Sequence, residues 1–170
     1  MNTKSNVQRS TSNVQPSTSN VQPYPGRLFR HAPAEREAIV DALAVALRAE
    51  PDVVFAYVHG SFVTERPFRD VDVGVHLAPE AEGGWERQMR LAETLEEAVA
   101  SSPGLGAALP VDVRVLNRAP LGFCYQVLRR GELVFSRDEA LRVRWVARIV
   151  GLYLDLKPLR VQALKEAMTA

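Results

Sequence analysis

Between Asp70 and Leu77 the chain alternates without a break. Val71, Val73, Val75 and Leu77 fall on one side, and Asp70, Asp72, Gly74 and His76 on the other. Successive side chains of a strand point to opposite faces. The segment therefore predicts a strand with an apolar face and a face carrying two carboxylates, which needs sheet partners and a covering layer. Val53–His59, an apolar run rich in β-formers and broken by Gly60-Ser61, predicts a buried strand. Val111–Leu116, with Val111, Val113 and Val115 opposite Asp112 and Arg114, predicts a third, and Glu132–Ser136 a fourth.

Helical spacing accounts for most of the remainder. Ala34–Glu50 places Ile39, Leu43, Ala46 and Leu47 on one face and ends at Pro51-Asp52. Glu82–Ser101 does the same with Leu91, Leu95, Ala98 and Val99, and residues 120–129 read as a short helix. From Arg137 nearly to the end, Leu141, Trp145, Ile149, Leu152, Leu156 and Leu159 form a sustained stripe, with a kink or break expected at Pro158. A length of 170 residues suits one sheet-and-helix core.

Residues 1–26 are of another kind. Ser-Asn-Val-Gln recurs from Ser5, Ser12 and Ser19, giving a period of seven with one apolar residue per repeat, Val7, Val14 and Val21. A coiled-coil seam needs two. Ser, Asn, Gln and Pro bury too little apolar surface to offset chain entropy. The expected division is a disordered tail over 1–26 and one domain over 27–170.

The formal charge of +1 is a cancellation: +4 over residues 1–31, −6 over 32–136 and +3 over 137–170. Such a balance gives no mandate for direct nucleic-acid binding. No run reaches the roughly 18–20 apolar residues that span a bilayer. The single Cys124 excludes an internal disulfide and a cysteine-based zinc site, and suits a cytoplasmic protein.

The acidic middle holds the chemistry. Gly60-Ser61 follows a predicted strand, where a tight turn presents backbone N–H groups and a hydroxyl to a phosphate. Asp70 and Asp72 leave the same face of the next strand, and Asp112 opens another. If the two strands are neighbours, three carboxylates meet at one edge. Their repulsion is costly, and a divalent cation relieves it. Mg²⁺ prefers oxygen ligands shared with substrate phosphates. Two such ions can activate a hydroxyl and stabilise departing pyrophosphate. The residues thus point to Mg²⁺-dependent transfer from a nucleoside triphosphate held at Gly60 and Ser61. A surface Asp pair neutralised by Arg66 or Arg69 is the competing, purely structural reading.

At these residues the chain resembles the minimal nucleotidyltransferase (MNT) family of the polymerase-β-like superfamily. The matching stretches are Val58-His59-Gly60-Ser61, Phe68–Val75 and Val111–Pro120. Gly131–Asp138 and Tyr153–Pro158 carry further family features. The resemblance runs from about residue 36 to 165. It implies an α/β (α+β) fold: a small mixed sheet of about four strands with packed helices and a long C-terminal helix. It also implies Asp70, Asp72 and Asp112 as catalytic metal ligands for two Mg²⁺, and Gly60 and Ser61 as the triphosphate site, with ATP as substrate. Many such proteins are antitoxins that AMPylate a tyrosine of a HEPN-family toxin. The chain departs from the family in the eight residues Phe62–Arg69, a shorter spacing than usual, and in Val63-Thr64-Glu65, where a small-Arg-Gly sequence is common. Arg66 and Arg69 are the candidates to replace that missing grip.

Two rival readings accompany this one. The chain could neutralise a partner by binding alone, through its C-terminal helix. It could also modify a small molecule such as an aminoglycoside, although it lacks the length for a separate acceptor domain. Other residues carry blander expectations. His59 reads as a satisfied strand-end histidine, His76 as too far along the strand from Asp72 to share its role, Cys124 as a core thiol, and Trp145 as core or interface. Arg142, Arg144 and Arg148 read as a solvated helix face.

Overall fold

The structure is a computed structural model that describes residues 28–64, 66–81, 84–103, 105 and 109–169. The expected tail over 1–26 lies outside the described residues.

Four strands, β1 (Val53–His59), β2 (Val71–Leu77), β3 (Val111–Val115) and β4 (Glu132–Ser136), form one sheet in the order β3-β2-β1-β4. β1 runs antiparallel to β2 and β4, and β2 runs parallel to β3. The sheet is therefore mixed. The helices are α1 (Pro33–Ala49), α2 (Trp85–Ala100), α3 (Leu121–Arg130) and α4 (Glu139–Thr169). The parallel β2–β3 pair requires a crossover, and α2 supplies it.

The alternation of β2 is realised as expected. Val71, Val73, Val75 and Leu77 are buried with Val111, Val113 and Val115 of β3 in one core. That core also takes Ile39, Leu43 and Leu47 of α1 and Leu91, Leu95 and Val99 of α2. β1 is buried along nearly its whole length because both its faces are covered. Val53, Ala56 and Val58 join this first core, while Val54, Phe55 and Tyr57 join Leu116, Cys124 and Val127 on the opposite face. Leu141, Trp145 and Ile149 of α4 pack against that second cluster.

β3 is an edge strand, and α2 fixes it in place. Glu96 accepts the Val111 N–H at 2.9 Å, and Gln88 accepts the Val115 N–H at 3.0 Å. Asn117 brackets the end of β2, accepting the Leu77 N–H and donating to the Leu77 carbonyl, each at 2.8 Å. Both β2 and β3 are thus held in register by side chains that themselves lie outside the carboxylate row.

α4 is one helix of 31 residues that continues through Pro158, so the chain does not break there. A proline removes a single backbone hydrogen bond, and the flanking Leu, Lys, Gln, Ala and Glu are strong helix formers. The apolar stripe is also not uniformly buried. Leu141, Trp145 and Ile149 cover the sheet, whereas Leu152, Leu156 and Leu159 are exposed. The basic face differs as well. Arg142 is not simply solvated, since it donates to the Tyr57 hydroxyl at 2.7 Å and pairs with Glu139.

Candidate active site

The turn after β1 sets the site. Gly60 has φ +73°, and a Cβ there would collide with Asp72 Oδ2. Glycine alone satisfies both conditions, so the Asp72 carboxylate lies directly against the backbone of the turn. Thr64 then folds the next residues back on Ser61: its N–H and Oγ1 donate to the Ser61 carbonyl at 3.1 and 2.8 Å. Among the described residues no hydrogen bond to the Ser61 hydroxyl is formed.

Sheet register collects the acidic residues. Asp72 pairs with His59 across the antiparallel ladder and with Asp112 across the parallel one. His59, Asp72 and Asp112 therefore form a row across three strands, on the face opposite α1 and α2, with Asp70 just ahead of β2. The two strands whose adjacency the sequence left open, β2 and β3, are thus neighbours. Burial pushes the Asp72 carboxyl up to about 6, and the charges of Asp70 and then Asp112 push it the same way. Three carboxylates share one field. Among the described residues, however, no group of three or more His, Cys, Asp or Glu side chains is gathered closely enough to hold a metal ion. Mutual repulsion accounts for carboxylates that are near one another without forming a closed cage.

His59 is not the satisfied histidine expected. Its Nε2 is buried without a hydrogen-bond partner. Burial lowers its pKa, Arg114 lowers it further, and Asp112 opposes both. Its ring stands edge-on to Phe123 of α3 at 5.4 Å. Arg66 and Arg69 are exposed, and neither pairs with Asp70 or Asp72 among the described residues. The ion-paired surface reading therefore has no support. Asp70 and Asp72 are half-buried and Asp112 is exposed. Cys124 is the buried core thiol expected, its pKa raised by that burial, and His76 stacks on Phe55 at 4.5 Å.

Beside the row lies a cleft of about 800 Å³. Its lining includes Leu77, Val115, Arg114, Arg118, Pro120 and Phe123, none of them a residue singled out for the site from sequence. Arg114 follows Asp112 by two on β3 and so shares its face, which the strand alternation already signalled. Phe123 could not be found from sequence, because only the packing of α3 on β1 brings it to His59.

The family described as polymerase beta, nucleotidyltransferase, matches residues 42–140. Among curated proteins no sequence matches. The solved structures include a tri-AMPylated Shewanella oneidensis HEPN toxin in complex with MNT antitoxin, 21% identical with a TM-score of 0.58, covering 79% of this chain and 99% of that one. The toxin–antitoxin MntA-HepT is 21% identical with a TM-score of 0.57 and the same coverage. A toxin–antitoxin with AMP-PNP is 22% identical with a TM-score of 0.59, covering 77% of this chain and 98% of that one. Likeness at this level of identity shows a shared fold. The matched family spans more than half of the chain and contains the Gly-Ser turn and all three carboxylates, so the chain belongs to the polymerase beta nucleotidyltransferase family.

Proposed function

We propose that this protein transfers AMP from ATP to a tyrosine hydroxyl of a helical HEPN-like partner, as the antitoxin of a toxin–antitoxin pair. The observation that carries the reading is the register pairing of Asp72 with Asp112 against the Gly60 turn. That pairing brings Asp72 and Asp112 together beside the Gly60 turn, with Asp70 just ahead of β2. The solved complexes named above, one with an AMPylated toxin and one with AMP-PNP, support the choice of chemistry and acceptor.

Mg²⁺, two ions of it, suits these residue types, and binding it would draw together carboxylates that stand apart without it. The donors are all oxygens, and an Asp72 carboxyl raised to about 6 marks a place where bare negative charge is unfavourable and a hard cation relieves it. Asp70, Asp72 and Asp112 would hold the ions, whose chemistry is to neutralise triphosphate charge and acidify the acceptor hydroxyl. Gly60 and Ser61 hold the β and γ phosphates, and Arg66 and Arg69 add positive charge at the loop. The cleft lined by Arg114, Arg118 and Phe123 takes the nucleoside. Asp112 receives the tyrosine proton as the phenolic oxygen bonds the α-phosphorus and pyrophosphate leaves.

A second reading, neutralisation by binding alone, draws on the exposed apolar residues of α4. Peptide mapping of the neighbouring gene's product after incubation with the protein, ATP and Mg²⁺ separates the two. AMP on a tyrosine supports transfer. An unmodified partner that is nevertheless neutralised supports binding alone.

A further inference from the structure

The loop between the Gly-Ser turn and Asp70 is anchored from outside by Arg36, in the first turns of α1. Its Nη1 donates to the carbonyls of Phe62 and Thr64, and its Nη2 to the Arg66 carbonyl at 3.4 Å. Its guanidinium carbon lies 5.7 Å from the Phe62 ring centre and 5.5 Å from that of Phe68. Those two rings meet edge to face at 5.2 Å. Both are buried, and the far end of the loop is tied down by the Phe29–Phe68 backbone pair at 2.8 and 3.2 Å. One fork of donors thus collects three carbonyls at alternate positions, a task that suits the planar, five-donor guanidinium.

We infer that Arg36 is a positioning residue for triphosphate binding, an inference that rests on the nucleotidyltransferase reading above. Peptide units are planar and trans. A Phe62 carbonyl turned toward Arg36 therefore turns the Val63 N–H away from the guanidinium, which fixes the orientation of that peptide unit in the loop. Among the described residues Arg36 forms no ion pair. Its charge remains behind the loop and makes the turn more attractive to an anion in an otherwise acidic neighbourhood. Shape and charge reach the triphosphate through the loop, without Arg36 touching it.

The experiment compares wild type with Arg36→Ala, Arg36→Lys and Arg36→Gln in the full-length protein. It uses calorimetric binding of MgATP and hydrogen exchange of the Thr64 and Phe68 amides without nucleotide. Expected results are at least tenfold weaker MgATP binding for Arg36→Ala, partial recovery in Arg36→Lys, and less in Arg36→Gln. Exchange at Thr64 and Phe68 should quicken in all three, and millimolar methylguanidinium should restore binding to Arg36→Ala. If Arg36→Ala does not fold, the Lys and Gln variants give the same reading. Unchanged MgATP affinity in the variants, with wild type binding normally, overturns this inference alone. A wild type that binds no MgATP overturns the nucleotidyltransferase reading together with it.

Discussion

The Asp72 carboxylate sits against the Gly60 backbone and within the fields of Asp70 and Asp112. Its folded-state pKa of about 6 exceeds the ordinary aspartate value, so its ionisation opposes folding. The stability it contributes is fully present below about pH 4 and is lost as pH rises through about 6. Asp72→Asn removes that loss. At pH 8 without metal, the variant should melt higher than wild type by about 3 °C, equivalent to about 1 kcal/mol once solvent screening at this half-exposed site is allowed for. Scanning calorimetry checks this, and the same variant should lose nucleotidyl transfer. His76 behaves in the opposite sense. Burial against Phe55 and Trp145 lowers its pKa. Below about pH 6.5 the unfolded chain takes up the proton first, so acid destabilises the fold. His76→Phe keeps the ring stacking and should flatten the decline in stability below pH 6.5, as followed by urea titration at several pH values. Gly60 is the position least tolerant of change: Gly60→Ala meets both the positive φ and the Asp72 carboxylate and should abolish MgATP binding.

At the scale of elements, α4 carries two roles in sequence order. Its first turns close the second core through Leu141, Trp145 and Ile149. Its remainder exposes Leu152, Leu154, Leu156, Leu159 and Val161, and Leu159 is 62% exposed. A triple substitution of Leu152, Leu156 and Leu159 by Asp should leave the melting temperature within about 2 °C, since the residues are exposed in the isolated chain. If this surface holds the partner, the same variant should abolish complex formation, as read by size-exclusion chromatography of the purified pair. The strand positions were legible from the alternation of β2 and β3, because that period has one geometric solution, and register then brought Asp72 beside Asp112. Burial along α4 was not legible. An apolar period of 3.6 looks the same whether a face meets its own sheet or nothing in its own chain, as Leu152 and Leu156 demonstrate. Arg36 and Phe123 were equally invisible. One lies 24 positions before Gly60 and the other on a different helix, and only packing joins them to the site.

For the whole molecule, the sheet order β3-β2-β1-β4 puts one apolar layer on the face away from the carboxylates, while the second shares their face and lies along it from Phe55 and Tyr57 to Leu116 and Cys124. No helix of the described residues is long and apolar enough to cross a membrane. The Ser, Asn, Gln and Pro of residues 1–26 predict that their removal leaves melting temperature and MgATP affinity unchanged. The central claim is that Asp70, Asp72 and Asp112 form one nucleotidyl-transfer site. Its most direct test is to incubate the full-length protein with α-labelled ATP, Mg²⁺ and the product of the adjacent gene, alongside Asp70→Ala and Asp72→Ala. The account predicts label on the partner with wild type and at least a hundredfold less with either variant. No label with wild type, or equal label with the variants, would contradict it.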